Sequence, residues 1–464
     1  MPRWLLLVIL VWAPWAYGST RPWTVEVLRC LLLGLSGLFA MALVMERRRP
    51  RLPVWSGFLV VSLLVIGWWT TFNARAVFDP VGPAFHMISA WMPWLPGTMD
   101  QSRSVASMLL VTGMLGAFCV AVEMAGDPRW RDRLWLVVAL VGFSLIAFGI
   151  FQRLSGARTI FWAVGEKTGN TFFATFRYHA NAGAFINLVM PFVLARTLLI
   201  FRRESPQWQK AFWIVASSIV VASAFINVSR AAMTIALMLL LVLGGWWLFF
   251  ERRTVISRPA AWGGAIVIIL VAGLLAYAFG ADRSVKRWLK PKDGNELSNN
   301  LRYQVYDIIW KKTLPFVGWG GSGPGTFEMV FPLSVKESGN DAVGRWYWVN
   351  AHQDYLQVLT EWGVIGGILW AGLLLGGLGV GIWRLTKRSG QWRSETRYFL
   401  LAGCLALLGV LLHALVDFPL QIASLQLFAA ISCAVAWTVG NEDGNMPVRR
   451  RRRRSMPRER EEPA

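Results

Sequence analysis

The stretch WVNAHQDYLQVLTEWGVIGG, residues 348–367, concentrates polar side chains immediately before a long apolar run. His352 is its only imidazole, and Asn350, Asp354 and Tyr355 stand close enough in sequence to orient the ring. A histidine at the start of a helix can accept a proton near neutral pH, which suits general-base chemistry. If a helix begins at Asn350, that residue caps it and Asp354 follows one turn later. The alternative is a purely structural histidine at an interface.

Two arginines could supply fixed positive charge to the same chemistry. Arg230 stands in INVSRAAM, between two apolar runs with no room for a solvated loop. Placing a charge there costs free energy, so a functional role for Arg230 is the default hypothesis. Alternatively, its side chain could reach out to lipid headgroups. Arg302 lies on a predicted helix, NNLRYQVYDIIWKKTL. Because arginine binds phosphate oxygens through paired hydrogen bonds, the two could hold a diphosphate together.

Two further polar clusters adjoin apolar runs. One is TFRYHANAGAF, which leads into a long apolar segment and contains Arg177, Tyr178, His179 and Asn181. His413 and Asp417 fall in HALVDFPLQ, one helical turn apart, and could pair inside a helix bundle. Taken alone, each of these histidines is more typical of a structural residue. The chain has four histidines, however, and three of them lie in or beside these clusters.

No metal-ligand spacing, P-loop, HExxH or DxD pattern accompanies these residues. The predicted chemistry therefore uses a base and fixed cations, without a metal or another cofactor. The glycine-rich segment GWGGSGPGTF, residues 318–327, could cradle a phosphate with backbone N–H groups, but a glycine loop alone favours a structural turn. The cysteines all fall inside apolar runs, with no neighbour at disulfide or metal spacing.

The elements that must position these residues are membrane helices. The 464 residues are 55% hydrophobic and 16% charged, whereas soluble domains carry about 25% charged residues, and the mean hydropathy is +0.46. Apolar runs near the length that crosses about 30 Å of hydrocarbon recur from end to end. The sequence predicts an all-α polytopic membrane protein of about twelve helices, and the continuous apolar runs exclude a β-barrel.

The first predicted span follows Arg3 and contains Pro14, so it could instead be a signal peptide. The twelve predicted spans are 4–17, 25–45, 53–72, 104–124, 134–152, 180–201, 211–228, 231–250, 262–280, 362–383, 398–416 and 421–440.

The net charge of +21 would suggest nucleic acid in a soluble protein. In a membrane protein, basic residues instead mark cytoplasmic connections. Alternate connections are basic here, which predicts that both termini lie in the cytoplasm, and we predict no nucleic acid partner. The chain divides into a membrane domain, 1–440, and a basic tail, 441–464, which we expect to be disordered and to contact anionic membrane lipids.

The polar clusters fall on the opposite, outer side. The connection 281–361 is far longer than an ordinary loop, and its aromatic content favours ordered structure. We predict an amphipathic helix near 298–313 that lies on the outer membrane surface. Its apolar residues recur at helical spacing: Leu301, Val305, Ile308 and Ile309. Segment 73–103 carries AWMPWLPG, which suits an interfacial or re-entrant piece rather than a span.

At these motifs the chain resembles the O-antigen ligase and polysaccharide polymerase superfamily of bacterial inner-membrane proteins. The resemblance rests on NAHQDYLQVLTEWGVIGG, on SRAAM after an apolar helix, and on LRYQVYDIIWKKTLPFVGWGGSGPGTF. It is strongest over about 180–380, and the span layout with one large outer loop extends it to most of the chain. HALVDFPLQ resembles a pattern common near the family's C-terminal end, whereas RYHANAGAF departs from the asparagine often found in that region.

The resemblance implies an inverting, metal-independent glycosyltransferase with a C-type membrane fold. Such enzymes pass a glycan from an undecaprenyl diphosphate carrier, on the periplasmic face, to a hydroxyl of lipid A core, another glycan or a protein. Carried over by motif, His352 would be the base or acceptor-orienting residue, and Arg230 and Arg302 would hold the diphosphate. The other polar residues would support them: Asn350, Asp354, Tyr355, Arg177, His179, Asn181, His413 and Asp417.

Two alternatives stay open. A polymerase would pass the growing chain to another carrier-linked repeat unit, whereas a ligase would pass it to a terminal acceptor, and the sequence does not decide between them. Outside the enzymes, a transporter or flippase for the lipid-linked glycan would show polar residues at the membrane midplane in paired halves. This chain gathers its polar residues at the outer ends of the spans instead. A structural scaffold would not explain Arg230 in so tight a hairpin.

Overall fold

The computed structural model describes residues 1–82, 84–164, 172–203, 205–255, 259–279, 295–387 and 392–440. The basic tail predicted at 441–464 and the first part of the long outer connection lie outside the described residues.

Helices form nearly all of the regular structure. In chain order they are α1 (Pro2–Trp15), α2 (Pro22–Met45), α3 (Val54–Phe72), α4 (Gln101–Gly126), α5 (Pro128–Leu154), α6 (His179–Arg202), α7 (Gln207–Ile226), α8 (Arg230–Val255), α9 (Pro259–Phe279), α10 (Asn295–Ile308), α11 (Leu314–Val317), α12 (Phe327–Ser338), α13 (Asp341–Gly344), α14 (Asp354–Lys387), α15 (Ser394–His413) and α16 (Ala423–Thr438). A π-helical turn, Ile309–Thr313, joins α10 to α11.

Within the described ranges, nine of these helices are long and apolar enough to cross a membrane, and each overlaps a predicted span. The all-α polytopic architecture is thus confirmed. The remaining three predicted spans coincide with shorter apolar helices in α1, α9 and α16. The total of twelve and the C-type fold therefore stay predictions.

The bundle packs around α6 and α15. In the apolar 18-residue segments of these two helices, 89% and 83% of the residues are buried. Small residues allow close approach at this centre: a Cβ on Gly183 of α6 would lie 2.3 Å from the Cβ of Ala232 of α8. Trp135 of α5 is buried against α6, where its indole N–H donates to the carbonyl of Phe192 at 2.8 Å. The polar atom of this large side chain is thus satisfied inside the apolar core.

The first helix, α1, packs into the same bundle. Leu6, Ile9 and Leu10 are fully buried, and the hydroxyl of Thr175 donates to the carbonyl of Pro14 at 2.6 Å.

The basic connections meet at one end of the bundle. The Arg48 guanidinium binds the Glu123 carboxylate at 3.0 Å, and Arg3 lies 3.5 Å from the same carboxylate. Arg131 donates to the hydroxyl of Thr396 at 2.8 Å. These contacts join connections that the charge pattern assigns to one side of the membrane, and the cytoplasmic identity of that side stays a prediction.

Helices α10 to α13 form a small cap at the opposite end. The predicted amphipathic helix is present, but Val305 and Ile309 are fully buried against Phe327 and Phe331 of α12. The apolar face thus packs within the cap, and the position of the helix on the outer membrane surface stays a prediction. An amphipathic pattern shows that one face is buried, and here a second helix of the cap covers it.

The segment 73–103 contains no helix before α4 within its described residues. It forms an antiparallel hairpin of β1 (Ala76–Asp79) and β2 (Ala84–Met87), with Ala76 opposite Met87. After the hairpin, Trp91 and Trp94 are both 73% exposed. The Asn73 amide holds this part of the chain by donating to the carbonyls of Met92 and Pro96, each at 3.0 Å.

Candidate active site

His352 lies in a turn that precedes α14. Because α14 begins at Asp354, the predicted helix start at Asn350 is wrong. The backbone of His352 has φ +54°, a left-handed conformation that residues other than glycine rarely adopt. Two bonds hold the turn: the Tyr306 hydroxyl donates to the carbonyl of His352 at 2.7 Å, and the Gln357 amide lies 3.4 Å from the Asn350 side-chain oxygen. Backbone strain of this kind clusters at functional sites.

The ring of His352 pairs with Asp417. Its Nδ1 lies 3.1 Å from Asp417 Oδ1, and Asp417, in the turn between α15 and α16, is 4% exposed. Burial acts to raise the pKa of this carboxyl, but the hydrogen bond with His352 and the charge of Arg302 outweigh it and hold the pKa below its ordinary value. The ionised carboxylate accepts from Nδ1–H, which leaves Nε2 as the free lone pair of the ring.

Tyr178 connects Arg302 to the same carboxylate. Arg302 Nη2 donates to the Tyr178 hydroxyl at 3.0 Å, and that hydroxyl donates to Asp417 Oδ2 at 3.0 Å. Arg302 also donates to the carbonyl of Val416 at 3.3 Å and lies 4.0 Å from Asp417 Oδ2. The Tyr178 ring stacks on Phe418 with a centroid distance of 5.7 Å. Burial raises the pKa of Tyr178, so the phenol keeps the proton that it donates.

Aromatic rings enclose His352 on several sides. The rings of Phe418 and Trp348 meet it edge to face, with centroid distances of 4.6 and 5.7 Å. Burial raises the pKa of Tyr306 to about 12, so its hydroxyl remains the donor to the His352 backbone. The histidine side chain is still 23% exposed, which leaves a substrate room to reach the ring.

Asp354 fixes the turn that carries Asp417. Its carboxylate accepts from the backbone N–H of Leu420 and from the Gln421 amide, both at 2.9 Å. Its own backbone N–H donates to the carbonyl of Ala414 at 3.0 Å. Asp354 therefore positions the partner of His352 and does not face the ring directly.

The predicted side-chain pair of His413 and Asp417 does not form. Helix α15 ends at His413, so helical spacing no longer describes the four residues that follow. The backbone N–H of Asp417 donates to the carbonyl of His413 at 3.0 Å, while its carboxylate turns to His352 and Tyr178. His413 is fully buried, and within the described part of the chain neither ring nitrogen has a hydrogen-bond partner.

The glycine-rich segment 318–327 is a structural turn. The N–H of Gly323 donates to the carbonyl of Glu361 at 2.9 Å, and the N–H of Gly325 donates to the carboxylate of Glu361 at 2.9 Å. These groups are therefore engaged within the protein rather than with a phosphate. The turn packs on a break in α14 at Gly363, where φ is +64° and a Cβ would lie 2.2 Å from the carbonyl oxygen of Trp319.

Arg230 begins α8 beside the cluster of Arg177, His179 and Asn181. In the hairpin before it, the Asn227 amide donates to the carbonyl of His179 at 2.9 Å. His179 in turn has its ring centroid 4.8 Å from that of Tyr178. The structure thus brings the Arg230 hairpin to the neighbourhood of Tyr178 and Asp417.

The other predicted residues take supporting positions. Arg177 is exposed just before α6, and Asn181 is buried in its first turn. The Tyr355 hydroxyl donates to the carbonyl of Leu411 at 2.8 Å, which ties α14 to α15. Sequence reasoning placed Tyr178 in a supporting cluster with Arg177 and His179 but did not predict its contacts with Arg302 and Asp417.

Residues 212–371 match a family model described as O-antigen ligase. The match spans about a third of the chain and contains Arg230, Arg302 and His352, whereas Tyr178 and Asp417 lie outside it. Among curated proteins, none matches the chain. The family match confirms the resemblance seen in the motifs: residues 212–371 are similar to the O-antigen ligase family.

Proposed function

We propose that this protein transfers a glycan from an undecaprenyl diphosphate carrier to an acceptor hydroxyl at the periplasmic face of the bacterial inner membrane. The family match over residues 212–371 supports glycan transfer in surface polysaccharide assembly, with a lipid-linked donor and a glycan acceptor in general. The observation that carries the finer proposal is the bonded set of His352, Asp417, Tyr178 and Arg302. This set supports the proposal because the His352 imidazole, held by Asp417, lies close to the Arg302 guanidinium.

In the proposed reaction His352 is the base. Its Nε2 takes the proton of the acceptor hydroxyl as the hydroxyl oxygen bonds to the anomeric carbon of the donor. The bond from that carbon to the diphosphate oxygen breaks on the opposite face, and its electron pair leaves with the diphosphate, so the configuration inverts. Asp417 keeps the Nδ1 proton in place and stabilises the imidazolium that forms. General-base catalysis typically contributes about 10²–10⁴-fold.

Arg302 and Arg230 supply positive charge to the leaving group in this proposal. The diphosphate gains negative charge as the bond breaks, so cations placed beforehand stabilise the transition state more than the ground state. The bonds of Arg302 to Tyr178 and Val416 leave other N–H donors of its guanidinium for the diphosphate. The mechanism uses no metal ion.

The location follows from the charge pattern and the fold together. The site lies at the end of the bundle opposite the basic connections, which the positive-inside rule assigns to the cytoplasm. The site would then face the periplasm, with both termini in the cytoplasm. A lipid-linked donor reaches such a site sideways from the membrane, and lipid A core, another glycan or a protein would supply the hydroxyl.

The test is complementation of a strain that lacks the gene. Wild type, His352→Ala, Arg302→Ala and Arg230→Ala are compared at equal membrane levels, and surface glycan and carrier-linked intermediates are followed by gel and mass spectrometry. His86→Ala is the matched control, because the His86 side chain is 67% exposed on the hairpin. We expect the three site variants to lose the finished glycan and to accumulate outward-facing, carrier-linked donor.

The accumulated donor separates the two enzyme roles. Long chains on the carrier indicate that a ligase was lost, whereas single repeat units indicate a polymerase. Normal surface glycan in His352→Ala cells would contradict the proposed base. Carrier-linked intermediates that collect on the cytoplasmic face would instead favour a transporter.

A further inference from the structure

An apolar cavity of about 480 Å³ lies among α6, α7, α8, α9 and α15. Leu243 and Trp247 of α8, Ile268 of α9 and Tyr398 of α15 contribute to its wall. Helix α6 begins beside the site at His179, but its contribution to the cavity comes from 194–202, near the opposite end. The cavity therefore lies in the half of the bundle remote from His352.

One face of α8 leads from Arg230 to this cavity. The face is defined by residues spaced three or four apart, which lie on one side of a helix: Arg230, Thr234, Leu237, Leu241, Gly244 and Leu248. Leu237 and Leu241 are 51% and 68% exposed, and both Gly244 and Leu248 line the cavity. An apolar track thus connects a cation at one end of the bundle with an apolar space near the other.

The length of this track decides what kind of chain could occupy it. Gly244 lies 14 residues after Arg230, which is about 21 Å along a helix that rises 1.5 Å per residue. One leaflet is about half of a hydrocarbon core roughly 30 Å thick, or about 15 Å. A lipid whose headgroup is held at Arg230 must therefore cross the midplane to fill the cavity. A long polyprenyl chain can do so, whereas an acyl chain of a phospholipid in the outer leaflet ends near the midplane.

We infer that the distal part of the donor's undecaprenyl chain binds in this cavity, which it reaches along α8 from a diphosphate held at Arg230. The inference rests on the proposed function for the placement of the diphosphate. The lining is mostly apolar, with Thr197 and Arg202 as its polar members, and so suits a hydrocarbon chain. The site would select carriers by chain length, because a short prenyl chain cannot extend to the cavity.

Glycine at 244 gives a direct test. A Cβ added to Gly244 would meet nothing within 4 Å, so Gly244→Phe puts a ring into the cavity without an initial clash. Gly245→Phe is the matched control, since a Cβ there also meets nothing within 4 Å and Gly245 does not line the cavity. Ala265→Phe fills the cavity from α9, on the facing wall. Because it is independent of Gly244→Phe, the same loss in both variants would not be explained by a folding defect in one of them.

The assay is photolabelling of the full-length protein in lipid nanodiscs. The probe is undecaprenyl diphosphate with a diazirine at the distal end of its chain, and labelled peptides are mapped by mass spectrometry. We expect label on peptides of α8 and α9, displacement by unlabelled undecaprenyl phosphate, and little displacement by geranyl diphosphate or phosphatidylglycerol. Both cavity-filling variants should lose about tenfold of this label, equivalent to about 1.4 kcal/mol, while Gly245→Phe keeps it.

Unchanged labelling in both filling variants would overturn the inference, as would equal displacement by phosphatidylglycerol, which would indicate an ordinary lipid site. Labelling measures binding without transfer, so His352→Ala protein should label like wild type. If His352 is needed for glycan transfer in cells but the cavity takes no label, this inference fails and the proposed function stands. If His352→Ala cells make normal glycan, the proposed function fails whatever the labelling shows.

Discussion

Asp417→Asn tests the proposed chemistry most directly, because the change keeps the shape of the side chain and removes its charge. The carboxylate accepts from His352 Nδ1 at 3.1 Å and from the Tyr178 hydroxyl at 3.0 Å. An amide in its place can donate to Nδ1, which favours the tautomer with the proton on Nε2. The ring then has no lone pair directed at the acceptor hydroxyl and cannot act as the base.

The magnitude follows from the contacts that are lost. A hydrogen bond to a charged group is worth about 1.5–3 kcal/mol, so loss of the support for the imidazolium alone lowers the rate by roughly tenfold to 150-fold at 1.4 kcal/mol per decade. Loss of the correct tautomer removes the general-base contribution of about 10²–10⁴. We therefore expect the transfer rate to fall by about 10²–10⁴, in line with amide replacement of the carboxylate in Ser-His-Asp enzymes, where the loss is about 10⁴.

The assay follows transfer from carrier-linked donor in solubilised membranes by mass spectrometry, at equal protein levels. His352→Ala gives the residual rate without the proposed base. Glu337→Gln is the matched control for a carboxylate-to-amide change, because Glu337 pairs with Lys312 at the exposed surface of the cap. The reasoning is refuted if Asp417→Asn keeps more than about a third of the wild-type rate while His352→Ala is inactive, since a loss below threefold is under about 0.7 kcal/mol.

Three further perturbations test the same framework. Tyr178→Phe removes the hydroxyl that accepts from Arg302 and donates to Asp417. Because a hydrogen bond to a charged group is worth about 1.5–3 kcal/mol, we expect glycan transfer to be at least tenfold slower. Tyr303→Phe is the control and should leave the rate unchanged, since Tyr303 is 71% exposed. Gly363→Ala should lower the unfolding temperature or prevent folding, because φ is +64° and a Cβ would lie 2.2 Å from the carbonyl oxygen of Trp319. Gly379→Ala in the same helix is the control: its Cβ would meet nothing within 4 Å, so the variant should fold normally. The lowered pKa of Asp417 means that its pairing stabilises the fold above the ordinary carboxyl pKa of 3.8 and that this stabilisation is lost as pH falls through the lower folded value. The difference in unfolding temperature between wild type and Asp417→Asn should therefore narrow as pH falls below about 4.

Local sequence patterns predicted the helices well. Apolar runs correspond to nine membrane-length helices in the described chain and to three shorter ones. His352 and Arg302 were both assigned to the site, and the structure joins them through Tyr178 and Asp417. The motifs of the family carried that assignment, because nothing in sequence spacing alone relates a helix near 302 to a turn at 352.

Pairings across the fold were beyond sequence reasoning. Helical spacing predicted a contact between His413 and Asp417, but the helix ends at His413, and the partner of Asp417 comes from a segment 65 residues away. The amphipathic pattern of α10 likewise showed a buried face and could not show that α12 covers it. The short hairpin of β1 and β2 carries little periodic signal, because each strand has only four residues.

The distribution of site residues along the chain bears on what the family region can do by itself. The region 212–371 supplies the proposed base and both proposed cations. The carboxylate that orients the base comes from the turn after α15, and the phenol that joins that carboxylate to Arg302 precedes α6, 239 residues before Asp417. Since an unsupported His352 would lack a fixed tautomer, we expect the chemistry to require the helices on both sides of the family region. In the proposed mechanism the bundle centred on α6 and α15 would contribute to catalysis, because it holds Tyr178 and Asp417 against the cap.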